Sequence, residues 1–525
     1  MQKQLIKTEQ GLTTSQTGIL GQVRYFTEKI TGIINSSKDK TKDKEYINAD
    51  LFAQMTYMAA ISSSGLDRAL IFNAAAKLPY SSSTYFKDIT SMVHKLSYDY
   101  PEACRIVGEK TMEADPRAIL LRFAGTLASG ESEQIFLSRE AEVQGESYGN
   151  AYERDLQALK SWTDAYVALL LSASLIIIVA VISMMIYPVE NSFLFILSGM
   201  TIMVTVAGAW ILHRAAPKEI KTHCLQETSK GQSLAQYLFK IMIPAGVVIS
   251  SIMAFLNVDI GVILLVAAVF VLPTGMVIIL DDRKIDKHDH DIAGVIRSLG
   301  GAAKAIASTV NHAVNRIDLR STNSLQNSMK TLKTRLLTGI SSNLCWEKFV
   351  SETGSEMVHR SLQIFRDSVD LGADPQFAGE QASFYAMKIN LLRAKRNLIS
   401  SGFTWLTMVM HLVVCALMLF ISGVLGIFAN TLGNMEETTS IERSSSLPTF
   451  GFFGDSAQLA LFDNLVIMVI IIFTVANAFA IRAVAGGHQY KFLFYLGIML
   501  AMSGLCFIMT PTFLQMVLGG LAPMS

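Results

Sequence analysis

Seven stretches of this chain are long and apolar enough to cross a bilayer, and no other feature constrains its fold as tightly. They cover residues 165–187, 192–212, 238–256, 260–280, 403–428, 464–485 and 492–518, each near the 20 or so residues a spanning helix needs. In hydrocarbon every peptide group must be satisfied within its own segment, so these stretches are read as helices. The first is the clearest, running from Ala165 through Leu175-Ile-Ile-Ile-Val-Ala-Val181 toward Pro188. Only Pro188-Val-Glu-Asn191 joins it to the second, and Asn257-Val-Asp259 joins the third to the fourth, so both pairs read as tight hairpins. Composition agrees: 17% of residues are charged and 51% hydrophobic, against about a quarter charged in soluble domains. The remaining sequence carries helical periodicity and no strand signal. The expected fold class is an all-α polytopic membrane protein with two repeated helical bundles on one side.

Basic residues set the expected orientation, because Lys and Arg are retained on the cytoplasmic face. The first 25 residues carry Lys3, Lys7, Glu9 and Arg24 with no apolar run, so no cleavable signal is expected and the N-terminus is placed in the cytoplasm. With that start, 43 of the 44 Lys and Arg fall inside and only Arg443 outside. The outside loop, 429–463, is Ser-rich and carries Glu436, Glu437, Glu442 and Asp455, and the C-terminus emerges extracellularly. The net charge of +1 gives no reason to expect a nucleic-acid partner. Five isolated cysteines (Cys104, Cys224, Cys345, Cys415 and Cys506) read as small buried hydrophobes.

The inside mass divides into two blocks, giving this organisation: a polar segment 1–47, a first helical block 48–164, four spans in 165–280 with an inside loop 213–237, a second block 281–402, one span, the outside loop, and two final spans in 464–518. The run Lys38-Asp-Lys-Thr-Lys-Asp-Lys-Glu45 reads as a solvated linker. Leu51, Met55, Met58 and Ile61 recur at helical spacing before Gly65. Asp115-Pro116 predicts a helix start, the helix 117–128 ends near Gly130, and a long charged helix from Glu131 continues toward Trp162. Tyr148, Tyr152, Leu156 and Leu159 lie on one face of it. An ungapped shift of 242 residues lays 120–130 over 362–372, matching Leu120 to Leu362, Phe123 to Phe365 and Gly130 to Gly372. It lays 57–62 over 299–304 and brings Trp162 beside Trp405, both at a membrane entry. The chain is therefore read as a duplication.

Catalytic and cofactor motifs are missing from the reading. No Gly-Lys dipeptide occurs, so there is no phosphate loop of the Walker kind, and neither HExxH nor GxSxG is present. His288-Asp-His-Asp291 has metal-binding residue types but reads as a solvated juxtamembrane run. Lys240, Asp463 and Arg482 lie at span ends, leaving His411 and Asn477 as the deep polar groups. For His411 a helix–helix hydrogen bond is expected. No enzyme activity, cofactor or metal is expected.

Two stretches carry a family resemblance: Met55-Thr-Tyr-Met-Ala-Ala-Ile-Ser-Ser-Ser-Gly-Leu66, and Tyr148-Gly-Asn-Ala-Tyr-Glu-Arg154 running through Asp164-Ala-Tyr-Val-Ala168 to Ile182-Ser-Met-Met-Ile-Tyr187. With the duplicated layout, the chain resembles the type II secretion F domain family over about 50–485. Members of that family are membrane platform proteins of type IV pili, type II secretion and the archaeal flagellum, or archaellum, and seven spans favour the archaeal branch. The resemblance implies a hexameric cytosolic secretion ATPase as partner, pilin-like or archaellin subunits as cargo, contact with membrane lipids and a homodimer. An adhesive pilus or secretion filament is the alternative, and a duplicated transporter is the alternative from a different class.

Block two carries 17 basic and 13 acidic residues against 19 and 21 before the first span. Lys330, Lys333 and Arg335 cluster on one helix, and Lys388, Arg393, Lys395 and Arg396 precede the fifth span. These seven are the candidate ATPase-docking residues, since complementary charge steers association. The competing reading gives the second group to topology and anionic lipid headgroups.

Overall fold

Peptide groups that must be paired inside the bilayer produce helices that do not stop at its edge. In the computed structural model, which describes residues 46–186, 191–223, 229–307, 309–438 and 456–518, three helices run unbroken from a predicted span into a polar block. These are α6 (Glu133–Ile186), α9 (Ile260–Ala305) and α14 (Pro375–Thr438). At 1.5 Å per residue the 64 residues of α14 reach about 96 Å, some three times the hydrocarbon thickness. The other long helices are α7 (Asn191–Ala215), α8 (Lys230–Phe255), α15 (Ser456–Ala485) and α16 (Lys491–Leu518). Six helices among the described residues meet the length and apolarity of a span. The first expected span falls on the end of α6, part of whose side chains lie outside the described residues. The polar segment 1–45, the turn at 187–190, Cys224, the core of the outside loop (439–455) and the C-terminal tail lie outside them as well.

The chain forms two compact units. One comprises the described residues up to Gln54 with Phe72–Ala128, the other Met55–Ile71 with the rest from Ser129. The first unit holds the start of α1 (46–62), most of α2 (Arg68–Lys77), α3 (Ser83–Leu96), α4 (Tyr100–Lys110) and α5 (Ala114–Ser129). Its centre is the Phe72 ring, stacked on Phe123 at 5.3 Å and lying against Tyr100 at 4.7 Å. The buried Gln54 amide is satisfied by the Ala75 carbonyl (3.0 Å) and the Ser82 hydroxyl, as burial of a polar group requires.

The second unit contains α10 (Val310–Ala313), a 3-10 turn at Leu319–Leu325, α11 (Gln326–Leu337), α12 (Ser342–Thr353) and α13 (Glu356–Asp370), together with all the long helices. The 242-residue shift carries Tyr100 to Ser342, Ala114 to Glu356 and Glu133 to Pro375, the first residues of α4 and α12, α5 and α13, and α6 and α14. It also pairs positive-φ positions: Gly65 with Ala307, Ser97 with Gly339, and Gly130 with Gly372. Within the second unit the equivalent helices α6 and α14 pack side by side and parallel. Successive contacts climb both together: Gly149 with Lys388, Glu153 with Lys395, and Tyr166 with Phe403. Glu153 and Lys395 are themselves 242 apart, so this ion pair joins equivalent positions of the duplication.

Helix α16 packs antiparallel along α9, with glycines removing the side chains at the closest points. A methyl group on Gly504 would stand 2.8 Å from the Gly261 carbonyl oxygen, and one on Gly275 would run into the Phe494 backbone. Gly275→Ala and Gly504→Ala should therefore each destabilise the protein by about 1–3 kcal/mol through overpacking. Gly294→Ala, on an open face of α9 with nothing within 4 Å, should instead be neutral or stabilising, by up to about 1 kcal/mol. Thermal unfolding of the three variants in detergent separates the two outcomes.

Candidate functional site

Pro217 cannot continue α7, so the chain beyond Ala215 leaves the helix with backbone groups that need partners elsewhere. Thr222 pairs with Ser355 in an isolated antiparallel bridge, and the Lys221 carbonyl accepts from Glu356 N at 3.0 Å. Two further carbonyls of this strap are taken by arginines of α14. Arg396 Nη1 donates to the Pro217 carbonyl at 2.8 Å, and Arg393 Nη2 to that of Ile220 at 3.4 Å. Arg396 also caps the C-terminus of α15, donating through Nε and Nη2 to the Val484 and Ala483 carbonyls at 3.1 and 3.2 Å. These are acceptors that a helix end leaves without intrahelical partners. Gly486, at φ +67°, turns the chain there, and a Cβ on it would strike the Arg396 guanidinium.

Carboxylates balance these cations. Asp282, Asp286 and Asp289 recur on one face of α9 at helical spacing. Arg393 bridges Asp289 to Glu219 of the strap, and Asp289 also accepts from the Ser355 hydroxyl at the start of α13. Lys221 reaches Asp282 and Asp286 at 2.8 and 2.6 Å, while Lys491 at the start of α16 reaches Asp282 at 2.9 Å. The Tyr152 hydroxyl of α6 donates to Glu219 at 3.2 Å. Burial would raise the Glu219 carboxyl, but the charges of Arg393 and Arg396 outweigh it and hold it below the ordinary carboxylate range. Four cations (Lys221, Arg393, Arg396 and Lys491) face four carboxylates (Glu219, Asp282, Asp286 and Asp289), so the hub is neutral in itself. It ties the strap, α6, α9, α13, α14 and the α15–α16 turn together.

Deeper along the same helices lies a second polar chain. The Tyr166 hydroxyl donates to Asn477 Oδ1 at 2.7 Å, and Asn477 Nδ2 donates to His411 Nδ1 at 3.2 Å. With Nδ1 an acceptor, His411 Nε2 carries the proton and donates to Ser503 Oγ at 2.9 Å. Ser503 passes to Thr474, 3.0 Å away, whose hydroxyl donates to the Ile470 carbonyl at 2.7 Å. One helix after another (α6, α15, α14, α16 and α15 again) is hydrogen-bonded in sequence, the interhelical use expected for His411.

The seven candidate docking residues separate in the structure. Arg393 and Arg396 are buried in the hub, where carboxylates and backbone carbonyls within the chain engage both guanidinium groups. Lys395 pairs with Glu153 at the surface, and Lys388 lies half-buried across Gly149. Arg335 is held by both carboxylate oxygens of Glu352, Lys333 donates to the Asn315 carbonyl at 3.2 Å, and Lys330 is exposed. The run 288–291 is divided around α9: Asp289 enters the hub, His288 and Asp291 meet Ser324, and His290 is exposed beside Asp291. Sequence reading missed the hub because its strap, Pro217–His223, resembles an ordinary short loop; the Asp282, Asp286, Asp289 stripe was the available signal.

Continuous helices, interhelical polar groups within the spans and a neutral hub at their charged ends define an all-α multi-pass membrane protein. Among proteins of known role, the chain is similar to Flagella accessory protein J of Methanocaldococcus jannaschii, at 21% identity over 81% of this chain and 76% of that protein. It is also similar to Flagella accessory protein J of Methanococcus voltae, at 19% identity over 89% of this chain and 85% of that protein. No family model matches the chain. No solved structure matches it either.

Removing Arg393 would take away the cation that bridges the buried carboxylates of Asp289 and Glu219. Arg393→Ala should destabilise the protein by about 3–5 kcal/mol, whereas Lys395→Ala, which breaks a half-exposed pair, should stay within about 1 kcal/mol. Unfolding midpoints in detergent measure both, and equal effects would remove the distinction between hub and surface pair.

Proposed function

We propose that this chain is a membrane platform for assembly of a pilus-like filament, the archaellum, and that it couples a cytosolic secretion ATPase to the insertion of archaellin subunits. The observation carrying the reading is the parallel pair α6 and α14, each an unbroken helix from a polar block into a span. Such helices pass a displacement of the block to the membrane without a flexible joint. Similarity to two proteins called Flagella accessory protein J supports the motility filament. The missing phosphate loop fits a division of labour in which the partner hydrolyses the nucleotide. In this reading the N-terminus and both helical blocks are cytoplasmic, the C-terminus is outside, and two copies form the filament base.

Deleting the chain from its host should abolish the motility filament, seen by electron microscopy and by loss of swimming, and re-expression should restore both. Retained swimming with loss of adhesive filaments would transfer the reading to an adhesive pilus. No change in either filament would overturn the platform altogether.

A further inference from the structure

Helix α9 sorts its charges by face. Its five carboxylates are all engaged within the fold. Asp282, Asp286 and Asp289 enter the hub, Asp281 accepts from the Ser229 hydroxyl at 3.2 Å, and Asp291 accepts from Ser324 and pairs with His290. Three of its bases are left over. Arg283, Lys287 and Arg297 lie with His290 on the exposed face, and among the described residues none of these three side chains has a hydrogen-bond or ion-pair partner. Lys284 stands at the edge of that face beside Asp281. Carboxylates on the flanking elements are turned aside as well: Asp318 of the 3-10 turn accepts from the Arg320 amide at 2.9 Å, and Glu380 of α14 from Gln376 at 3.1 Å. The same face of α9 carries Gly294 and Gly301, two turns apart, where an added Cβ would meet nothing within 4 Å. Glycine inside a helix weakens it, and no contact within the described fold calls for either one. Between the cations they leave a bare floor on which a second helix can lie close.

We propose that the exposed face of α9 from Arg283 to Gly301 is the docking site for an acidic helix of a soluble protein. The inference rests on the platform reading, in which that protein is the secretion ATPase. Cations without carboxylates of their own are complemented by a partner that supplies them. Distance argues against lipid. The membrane-entry tryptophans Trp162 and Trp405, whose rings belong at headgroup level, lie ten and nine residues from the hub residues Tyr152 and Arg396. At 1.5 Å per residue the hub stands about 14 Å beyond the headgroups. Arg283, next to Asp282, is at hub level, and Arg297 is about 21 Å farther along α9. With a screening length of about 8 Å at physiological salt, the headgroup field has faded at Arg283 and is gone at Arg297. A second copy of this chain is no better, because the two faces would set like charges against each other. The site is also mechanically placed: α9 is one helix from Ile260 to Ala305, so the docking face, three hub carboxylates and a span share a single rod.

The test uses the full chain in lipid nanodiscs and the purified secretion ATPase of the same host as probe, with affinity read by biolayer interferometry. The triple variant Arg283→Glu, Lys287→Glu, Arg297→Glu should weaken binding at least about a hundredfold, and Arg283→Lys with Arg297→Lys should retain it. Gly294→Leu, which fills the floor and removes a helix-weakening residue, should weaken binding at least about tenfold while its unfolding midpoint stays at or above the wild-type value. Wild-type binding that survives both the triple variant and Gly294→Leu overturns the α9 site and leaves the platform reading standing. No wild-type binding overturns the platform reading and the site with it. If the triple variant keeps the ATPase but loses capture of phosphatidylglycerol vesicles, the face is a membrane contact and the proposal fails.

Discussion

A peptide group without a partner in hydrocarbon costs several kcal/mol, and from that single constraint most of this architecture follows. Each span has to be helix throughout, and helix, once started in lipid, has no reason to end at the interface when the following residues also favour it. In α6, α9 and α14 the helix continues for tens of residues beyond the apolar stretch. The polar blocks are thus grown on the ends of spans and share helices with them. This is why a boundary such as 164/165 or 402/403, drawn where composition changes, corresponds to no break in the backbone.

Long helices must still be held at a fixed register, and two polar networks do so at different depths. Near the charged ends the hub gathers eight ionised groups, a costly arrangement unless charges cancel and the spare donors find acceptors. Both conditions are met, since the arginine N–H groups left over from the carboxylates go to carbonyls freed by the Pro217 strap and by the end of α15. Within the spans, the chain from Tyr166 to Thr474 uses only neutral groups, which is the form that low dielectric permits. Along the same helices, glycine contacts bring α9 and α16 to backbone distance.

The duplicated halves have kept their backbone while exchanging most of their chemistry. Helix starts and left-handed turns coincide under one shift, although few residues match. Turn geometry and helix length survive such drift because many residue types satisfy them, whereas a charge network requires particular partners. The hub accordingly has no second copy: the counterpart of Arg393 is Ala151, and that of Asp289 is Ile47.

By itself the sequence determined the helical class, the presence of several helices apolar enough to span a membrane, the register of the repeat and the burial of His411 against neighbouring helices. All of these are written in local periodicity, length and polarity, which one segment can specify alone. It did not determine the use of Arg393 and Arg396. Four bases before a span look alike along the chain, whether they face lipid, water or a partner protein. Only the tertiary structure decided that two of them turn inward, because their acceptors come from segments up to 179 residues away. A charge's role depends on which carboxylates and carbonyls reach it, and that is a property of packing.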